Sequence, residues 1–321
     1  MMKVSVIIPS RNEHFLQRTI DDLLEKAQGD VEIIVVMDGT DQDVRQDKRV
    51  VKIRHGELGD NFGLRDSVNL GIRASSGDYI LKADGHTMWD EGWDVKLVED
   101  CEDNWVVIPR RWRLDPEAWA KTTDSEGDRR PPVDYMFIAY PYERPYDRTC
   151  GLHGDIWKAA QAERSDKLID DVMTMQGSAY FMKKSYWYEL GEMDSTLYGP
   201  FTHESQEISN KAWLTGGRVV VNKKTWYAHL HKGKKYGTGY GFSTKQWEKW
   251  AELHEKGRQF CTEYWLTTQD YAHDFEWLIN KFWNFTSEGR IPTWPDNWKE
   301  QLIIDEKTDW KHSGENTWKA R

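Results

Sequence analysis

The amino-acid sequence predicts an α/β protein: a doubly wound sheet in the first two thirds, then a mostly helical, tryptophan-rich extension. The first observation is that short, continuous apolar runs alternate with amphipathic stretches over the first hundred residues, which is typical of βαβ units. The second is that polar residues directly follow these runs, at the edge where open α/β sheets bind ligands. The third is the helical spacing of tryptophans from residue 243 onward.

The first hundred residues contain four predicted strands and two predicted helices. The apolar runs are nearly unbroken, as expected of strands that are buried on both faces of a parallel sheet. The predicted strands are Val4–Ile8, Glu32–Met37, Val50–Ile53 and Tyr79–Ala83. Apolar residues at helical spacing predict helices at Phe15–Leu24 and Leu64–Ala74.

The rest of the chain is less regular. Residues 114–170 are polar and weakly periodic, which predicts long loops and short strands over the sheet. Further predicted elements are strands at Trp105–Pro109, Met175–Met182 and Arg218–Val221, a helix at Glu207–Leu214, and helices from Ser243 onward. We therefore expect one α/β domain over residues 1–242 and a helical extension over residues 243–321 that packs on the sheet.

The overall charge and the cysteines limit the class of protein. A net charge of −10 argues against a general nucleic-acid binder, although it allows a local basic patch. The three cysteines, Cys101, Cys150 and Cys261, fit neither a disulfide framework nor a zinc cluster. The N-terminal apolar run ends at Pro9, and no segment approaches the roughly 20 apolar residues of a membrane span. We expect a cytoplasmic protein.

The tripeptide Asp84-Gly85-His86 is the most informative motif. It directly follows a predicted strand, so that its carboxylate and imidazole can both turn toward one divalent cation. A carboxylate with a neutral imidazole suits Mn²⁺ or a similar metal better than Ca²⁺. An ordinary Asp-Gly turn after a strand explains the same residues without a ligand, so the tripeptide alone leaves both interpretations open.

Other polar residues stand at the ends of the predicted elements. Pro9, Arg11 and Glu13 follow the first strand, at the edge where ligands bind. Asp38 follows the second strand, where its carboxylate can accept a hydrogen bond from a base N–H. Arg65 lies near the start of a helix and offers a guanidinium suited to a pyrophosphate. The sequence has no P-loop and no Gly-x-Gly-x-x-Gly motif, which argues against ATPases and dehydrogenases.

The order of these residues resembles the nucleotide-sugar-binding half of family-2-type glycosyltransferases, whose GT-A fold is a Rossmann-like mixed sheet. The Asp-x-His form of the metal motif is similar to that of the polypeptide N-acetylgalactosaminyltransferase group. This resemblance implies an enzyme that transfers a hexosyl or pentosyl group from a UDP-sugar. It also implies donor contacts by Pro9, Arg11, Glu13, Asp38, Arg65, Asp84 and Gly85.

The second half of the sequence extends the resemblance. Gln176-Gly177 stands where the family has a Gly-Gly pair under the donor sugar, so the pocket differs there. Glu204 and Glu207 match the glutamates of the family's Gly-Glu-Asn-x-Glu-Ile-Ser helix start, which implies catalytic roles for both. Ser205 stands where inverting relatives carry an aspartate base, and this favours a retaining reaction.

His229 matches the family's Gly-His-x-x-Arg motif, in which the histidine is the third metal ligand. The resemblance thus implies Mn²⁺ (or Mg²⁺) held by Asp84, His86 and His229, with diphosphate oxygens and water completing the shell. Lys232, Lys235 and Tyr236 would belong to a loop that closes on the diphosphate, made mobile by the glycines at 233, 237, 239 and 241.

The acceptor is left open. A glycan, a protein side chain and a 5-hydroxymethylpyrimidine in DNA, as used by phage-type glycosyltransferases, are the candidates. Cations and aromatics interleave at residues 232–240 and at Lys245, Trp247, Lys249 and Trp250, which suits nucleic-acid contact and a diphosphate lid equally well. The extension at 243–321 resembles no part of the family, whose lectin domain has no counterpart here. A non-catalytic nucleotide-sugar or glycan-binding module is the alternative of another class, and the intact metal ligands and Glu204 argue against it.

Overall fold

A ten-stranded mixed sheet organises the part of the chain that the computed structural model describes, which comprises residues 2–122, 131–141, 151–236, 244–301, 311–313 and 317–319. The strands are β1 (Lys3–Ser10), β2 (Asp30–Asp38), β3 (Val50–His55), β4 (Tyr79–Ala83), β5 (Thr87–Trp89), β6 (Trp105–Asp115), β7 (Ala120–Lys121), β8 (Met136–Ala139), β9 (His153–Ile156), β10 (Ile169–Asp171), β11 (Ala179–Lys183), β12 (Arg218–His229), β13 (Lys311–Ser313) and β14 (Thr317–Lys319). Strands β8 and β9 form a separate hairpin, as do β13 and β14.

Helices cover both faces of the sheet. They are α1 (Leu16–Lys26), α2 (Leu64–Ala74), α3 (Trp93–Asp100), α4 (Lys158–Glu163), α5 (Lys184–Glu189), α6 (Glu204–Leu214), α7 (Gly233–Tyr236), α8 (Thr244–Thr267), α9 (Phe275–Trp283) and α10 (Trp298–Gln301). Among the described residues, no helix combines the length and the apolar character that crossing a bilayer requires.

The strand order is β10-β12-β6-β11-β4-β1-β2-β3, with β5 added to β12 and β7 added to β6. Strands β4, β1, β2 and β3 are parallel neighbours, as expected of βαβ units. Strand β11 runs antiparallel between β4 and β6, so the sheet is mixed, as in the GT-A fold. This order brings the ends of β1, β2 and β4 together with the end of β12.

Side chains of β1 alternate between two apolar layers. Val6 packs with α1 and α3, whereas Ile7 packs with α2. Helix α2 approaches β1 closely because it carries Gly71: a Cβ there would lie 2.7 Å from Ile7 Cγ2. Burying each such aliphatic side chain contributes about 1.5–3 kcal/mol.

The tryptophan-rich extension packs into the layer on the α2 side. Phe260 and Trp265 of α8 and Leu278 of α9 belong to the same cluster of buried residues as Trp213 of α6. Seven tryptophans of the described residues are almost fully buried: Trp89, Trp93, Trp157, Trp187, Trp213, Trp265 and Trp294. Much of the tryptophan content therefore fills the core. Cys101 and Cys261 are buried free thiols, and Cys150 lies outside the described residues.

The structure differs from the predicted elements mainly where pairing is non-local. Strand β6 continues to Asp115 because its polar second half pairs with the second half of β12. Residues Thr87–Trp89, which belong to no predicted element, form β5 against β12. Strand β11 begins at Ala179 rather than at Met175, and α6 begins at Glu204 rather than at Glu207. Helices α3 and α5 were not predicted.

Candidate functional site

Two histidines meet because β5 pairs with the end of β12. Thr87 stands opposite His229 in this antiparallel pair, and the backbone N–H of Leu230 donates to the carbonyl of His86 at 3.2 Å. Asp84 directly follows β4, two residues before His86. The fold thereby brings together three side chains that the sequence separates by up to 145 positions.

The three side chains direct their ligand atoms at one point. Nε2 of His229 lies 3.0 Å from Nε2 of His86 and 3.2 Å from Oδ2 of Asp84, and the His86–Asp84 separation is 3.8 Å. One ligand atom from each residue falls within 4.8 Å of the others. Two imidazole nitrogens and one carboxylate oxygen form a donor set that fits a divalent transition metal such as Mn²⁺.

The electrostatics keep the ligand atoms ready for a cation. Burial lowers the pKa of His229 to about 3, so its imidazole is neutral at physiological pH. Burial alone would raise the pKa of Asp84, but the Lys82 ammonium and the two histidines outweigh it and hold that pKa well below its usual range. Neutral imidazole and ionised carboxylate are the forms that bind metals.

Glu13 lies behind His86. Its Oε2 is 3.1 Å from Nδ1 of His86 and 2.6 Å from Nζ of Lys232. Burial works to raise the pKa of Glu13, but the hydrogen bond with His86 and the Lys232 charge lower it to about 2. The Glu13 carboxylate accepts a hydrogen bond from Nδ1–H of His86. The lone pair on Nε2 then faces Asp84 and His229. Glu13, expected among the donor contacts, thus holds the His86 imidazole in place.

Gly85 makes this arrangement possible. A Cβ at this position would lie 2.8 Å from Cγ of Glu13. A side chain between Asp84 and His86 would therefore push the Glu13 side chain away from the imidazole. This close approach explains why the middle residue of the motif is a glycine.

Lys82 is a site residue that the sequence analysis missed. Its side chain is 1 % exposed, and Nζ lies 2.7 Å from Oδ1 of Asp84 and 3.5 Å from Oε1 of Glu204. It also donates to the carbonyl of Gly177. A lysine inside the otherwise apolar strand Tyr79–Ala83 was the signal available in the sequence, because lysine is almost never fully buried without a partner.

Glu204 begins α6 on the other side of Lys82. Burial raises the pKa of its carboxyl group. Gly177 lies directly against it, since a Cβ on Gly177 would be 2.3 Å from Oε2 of Glu204. Gln176, the other half of the expected pair, accepts a hydrogen bond from Ser178 Oγ through Oε1 at 3.3 Å. Glu204, Gly177 and Asp84 therefore meet around one lysine.

Arg65 and Glu207 lie deeper and contact each other. Both side chains are 0 % exposed, and they form an ion pair. The Arg65 guanidinium also donates to the carbonyls of Thr202 (from Nε, 3.1 Å) and Asp194 (from a terminal nitrogen, 3.2 Å). In this arrangement Arg65 has no open face for a pyrophosphate, contrary to our expectation, and Glu207 has none for a substrate. Their visible role is to join α2 to α6.

The remaining predicted residues line the end of β1 and β2. The Asp38 carboxylate accepts from the backbone N–H groups of Phe62 and Gly63, each at 2.9 Å, and burial raises its pKa. These two amides donate to the same oxygens that we expected to accept from a base, and the contact with a base stays a prediction. Arg11 donates to the carbonyls of Asp38, at 2.6 Å, and Asp60. Pro9 is buried within β1.

The segment after His229 is described only in part. Lys235 is exposed and forms an ion pair with Glu117, and the ring of Tyr236 lies 5.2 Å from that of Phe15. Gly233 begins α7. The glycines at 237, 239 and 241 and the side chains at Lys245, Trp247, Lys249 and Trp250 lie outside what the structure describes. The expected lid and cation–aromatic surface therefore stay predictions.

Comparison with known proteins points to one family. The family model described as Glycosyl transferase family 2 matches residues 5–164. The chain is 37 % identical over 111 residues to the glycosyltransferase EpsJ of Bacillus subtilis, covering 33 % of this chain and 32 % of that protein. It is 24 % identical over 284 residues to putative polypeptide N-acetylgalactosaminyltransferase 13 of Drosophila melanogaster, covering 82 % of this chain and 48 % of that protein.

A solved structure shares the fold. A crystal structure of GalNAc-T7 with UDP, GalNAc and Mn²⁺ matches with a TM-score of 0.55 at 16 % sequence identity. The match covers 79 % of this chain and 48 % of that one. The chain spans about a third to about a half of the length of these curated relatives.

Proposed function

This chain contains a family-2 glycosyltransferase domain of the GT-A fold, and on that premise we propose that it transfers a sugar from a UDP-sugar to a hydroxyl acceptor with the help of a divalent metal ion. The observation that carries the proposal is the convergence of Asp84, His86 and His229 at the ends of β4 and β12. UDP and Mn²⁺ accompany GalNAc-T7 in its crystal structure, which supports the choice of donor and metal.

A metal ion held by Asp84, His86 and His229 would bind the diphosphate leaving group. Oδ2 of Asp84 and Nε2 of each histidine supply three ligands, fewer than an octahedral ion accepts, so positions stay open for diphosphate oxygens. When bound, a divalent ion there neutralises the charge that develops on the diphosphate as the bond to the sugar breaks. Glu13 keeps His86 oriented for this task, and Lys232 adds a cation beside it.

The donor sugar would lie over Gly177 and Glu204. The close approach of Gly177 to Glu204 means that any larger residue at 177 displaces the carboxylate. The Glu204 carboxylate faces the Lys82 ammonium, and its charged form costs energy in this buried place. These features support a role for Glu204 toward the sugar rather than toward the metal.

We propose a retaining reaction. Ser205 occupies the position at which inverting relatives have an aspartate base, and a hydroxyl cannot replace that carboxylate as a base near neutral pH. The anomeric configuration of the product, read by proton NMR immediately after transfer, tests this point. An inverted product would contradict retention without affecting the assignment as a glycosyltransferase.

The central experiment measures UDP release from UDP-sugars by the wild-type chain with Mn²⁺. We expect release that EDTA abolishes and that Asp84→Asn lowers by about 100-fold or more, because loss of a direct ligand costs more than the 10–100-fold typical of residues behind ligands. Asp41→Asn is the matched control, since Asp41 is an exposed carboxylate that follows β2 and pairs with Lys52 and Arg54. Full activity of Asp84→Asn would contradict the metal assignment, and no turnover with any UDP-sugar would favour the non-catalytic module.

The acceptor is tested in parallel. The wild-type chain with its donor is incubated with glycans, with peptides and with DNA that contains 5-hydroxymethylpyrimidine, and mass spectrometry reads the products. A hexose or N-acetylhexosamine mass shift on one class identifies it. An unshifted DNA sample alongside a shifted glycan would eliminate the DNA acceptor.

A further inference from the structure

A lysine is buried at the centre of the site. Lys82 lies in β4 between apolar neighbours, and its side chain is 1 % exposed. Burying an ammonium costs several kcal/mol unless partners compensate it. The contacts of Lys82 must therefore be specific, and its position next to Asp84 makes them relevant to metal binding.

The ammonium group donates two hydrogen bonds, to Oδ1 of Asp84 at 2.7 Å and to the carbonyl oxygen of Gly177. It also forms an ion pair with Oε1 of Glu204 at 3.5 Å. Burial works against the charge, but Asp84 and Glu204 outweigh it and raise the pKa of Lys82. Lys82 is thus a fixed cation.

The two oxygens of Asp84 face different groups. Oδ1 contacts Lys82, whereas Oδ2 is the atom that lies near Nε2 of both histidines. Lys82 consequently leaves one oxygen of Asp84 for a metal ion. It also places a positive charge on the far side of the same carboxylate.

The charges of the site can be counted from these contacts. Three carboxylates (Asp84, Glu204 and Glu13) and two ammonium groups (Lys82 and Lys232) sum to −1, and imidazoles that bind metals are neutral. A divalent ion alone would change this sum to +1 in a buried place, which is unfavourable. A nucleoside diphosphate brings at least two negative charges and restores a net negative site.

We propose that Lys82 makes metal binding depend on the nucleoside diphosphate: its charge weakens binding of the metal alone, so that metal and donor bind together. The proposal rests on the proposed function and adds the residue that couples its two ligands. Lys82 is a positioning residue that acts through Asp84 and Glu204.

The experiment measures Mn²⁺ affinity by calorimetry on the full chain at pH 8, with and without UDP. For the wild type we expect UDP to tighten Mn²⁺ binding at least tenfold. Lys82→Met should bind Mn²⁺ alone at least tenfold more tightly than the wild type, with a smaller effect of UDP, since its site carries −2. Lys82→Arg keeps the charge and should behave like the wild type.

Glu204→Gln changes the net charge of the site in the opposite direction, because it removes a negative charge. Its site sums to zero, so Mn²⁺ alone should bind several-fold more weakly than to the wild type. The double variant Lys82→Met with Glu204→Gln returns the sum to −1 and should regain an affinity near that of the wild type. Far-UV circular dichroism and thermal melts check each fold. If Lys82→Met does not fold, the Glu204→Gln comparison still decides.

Each result has a distinct meaning. Lys82→Met binding Mn²⁺ no more tightly than the wild type, or Glu204→Gln binding it equally well, would overturn the proposal. A wild type that binds Mn²⁺ equally with and without UDP would overturn it as well. A wild type that binds neither UDP nor Mn²⁺ would contradict the proposed function itself, because both ligands belong to it.

Discussion

Oε2 of Glu13 lies 3.1 Å from Nδ1 of His86, and this contact determines which imidazole nitrogen faces Asp84 and His229. A carboxylate behind a metal-binding histidine fixes the ring orientation and makes the ligand nitrogen more basic. Gly85, between Asp84 and His86, leaves the space that this contact needs.

Glu13→Gln should weaken Mn²⁺ binding in the presence of UDP by about 10–100-fold, the usual effect of removing such a carboxylate. The neutral amide loses the charge-assisted hydrogen bond and also the ion pair with Lys232. Calorimetric titration of Mn²⁺ measures the effect. Glu25→Gln, on the exposed face of α1, is the control and should leave the affinity unchanged. Equal affinity of both variants would show that His86 does not need Glu13.

Arg65→Met should destabilise the fold by about 3 kcal/mol, because Glu207 stays charged and buried and keeps only Lys211 as a cationic partner. Urea denaturation followed by tryptophan fluorescence gives the free energy of unfolding. Arg73→Met is the matched control on the same helix: its pair with Glu192 is more than half exposed on the arginine side and should contribute at most about 1 kcal/mol. A stable Arg65→Met variant that loses UDP affinity would instead support the pyrophosphate contact expected from the sequence.

Glu32 should make the fold sensitive to acid. Its carboxylate accepts from Lys3 Nζ at 2.8 Å, Ser5 Oγ at 2.6 Å and the Ser76 N–H at 2.6 Å. Burial opposes ionisation, but these bonds lower its pKa from 4.5 to about 2. A lowered carboxyl pKa stabilises the fold above the unfolded value near 4.5, and this stabilisation disappears as the pH falls toward 2.

The free energy of unfolding should therefore fall by as much as about 3 kcal/mol through this group in acid. Urea denaturation of the wild type and of Glu32→Gln at pH 6, 4.5 and 3 measures it. The variant should be less stable at pH 6, and the difference between the two proteins should shrink at pH 3. A difference that stays constant over this range would exclude Glu32 as the titrating group.

Local periodicity sufficed for the elements whose own apolar pattern is regular. Helix α2 and strand β4 have the bounds that the apolar pattern predicts. The buried residues of α2 recur at helical spacing, and every residue of β4 is buried. Strand β5 escaped prediction because its three residues are held by β12, about 140 positions away, and not by their own propensity. The long polar half of β6 escaped for the same reason.

In the site, too, residue types could be recognised from the sequence, whereas contacts between distant residues could not. The Asp-x-His motif and His229 were recognisable as a possible ligand set because their residue types match the chemistry of a cation. The contacts of Arg65 and Lys82 could not be read from residue type. A cation at the start of a helix is usually solvated, but here Arg65 meets Glu207 across 142 positions. Lys82 was passed over as part of an apolar run, although its burial required partners.

The sequence by itself determined the α/β pattern, the family resemblance and the set of residue types that can bind a metal and a sugar nucleotide. Tertiary structure alone decided which acid partners which base: Glu13 with His86, Glu207 with Arg65, and both Asp84 and Glu204 with Lys82. The reason is physical. The cost of burying a charge depends on groups within a few ångströms, and most of these arrive from distant parts of the chain.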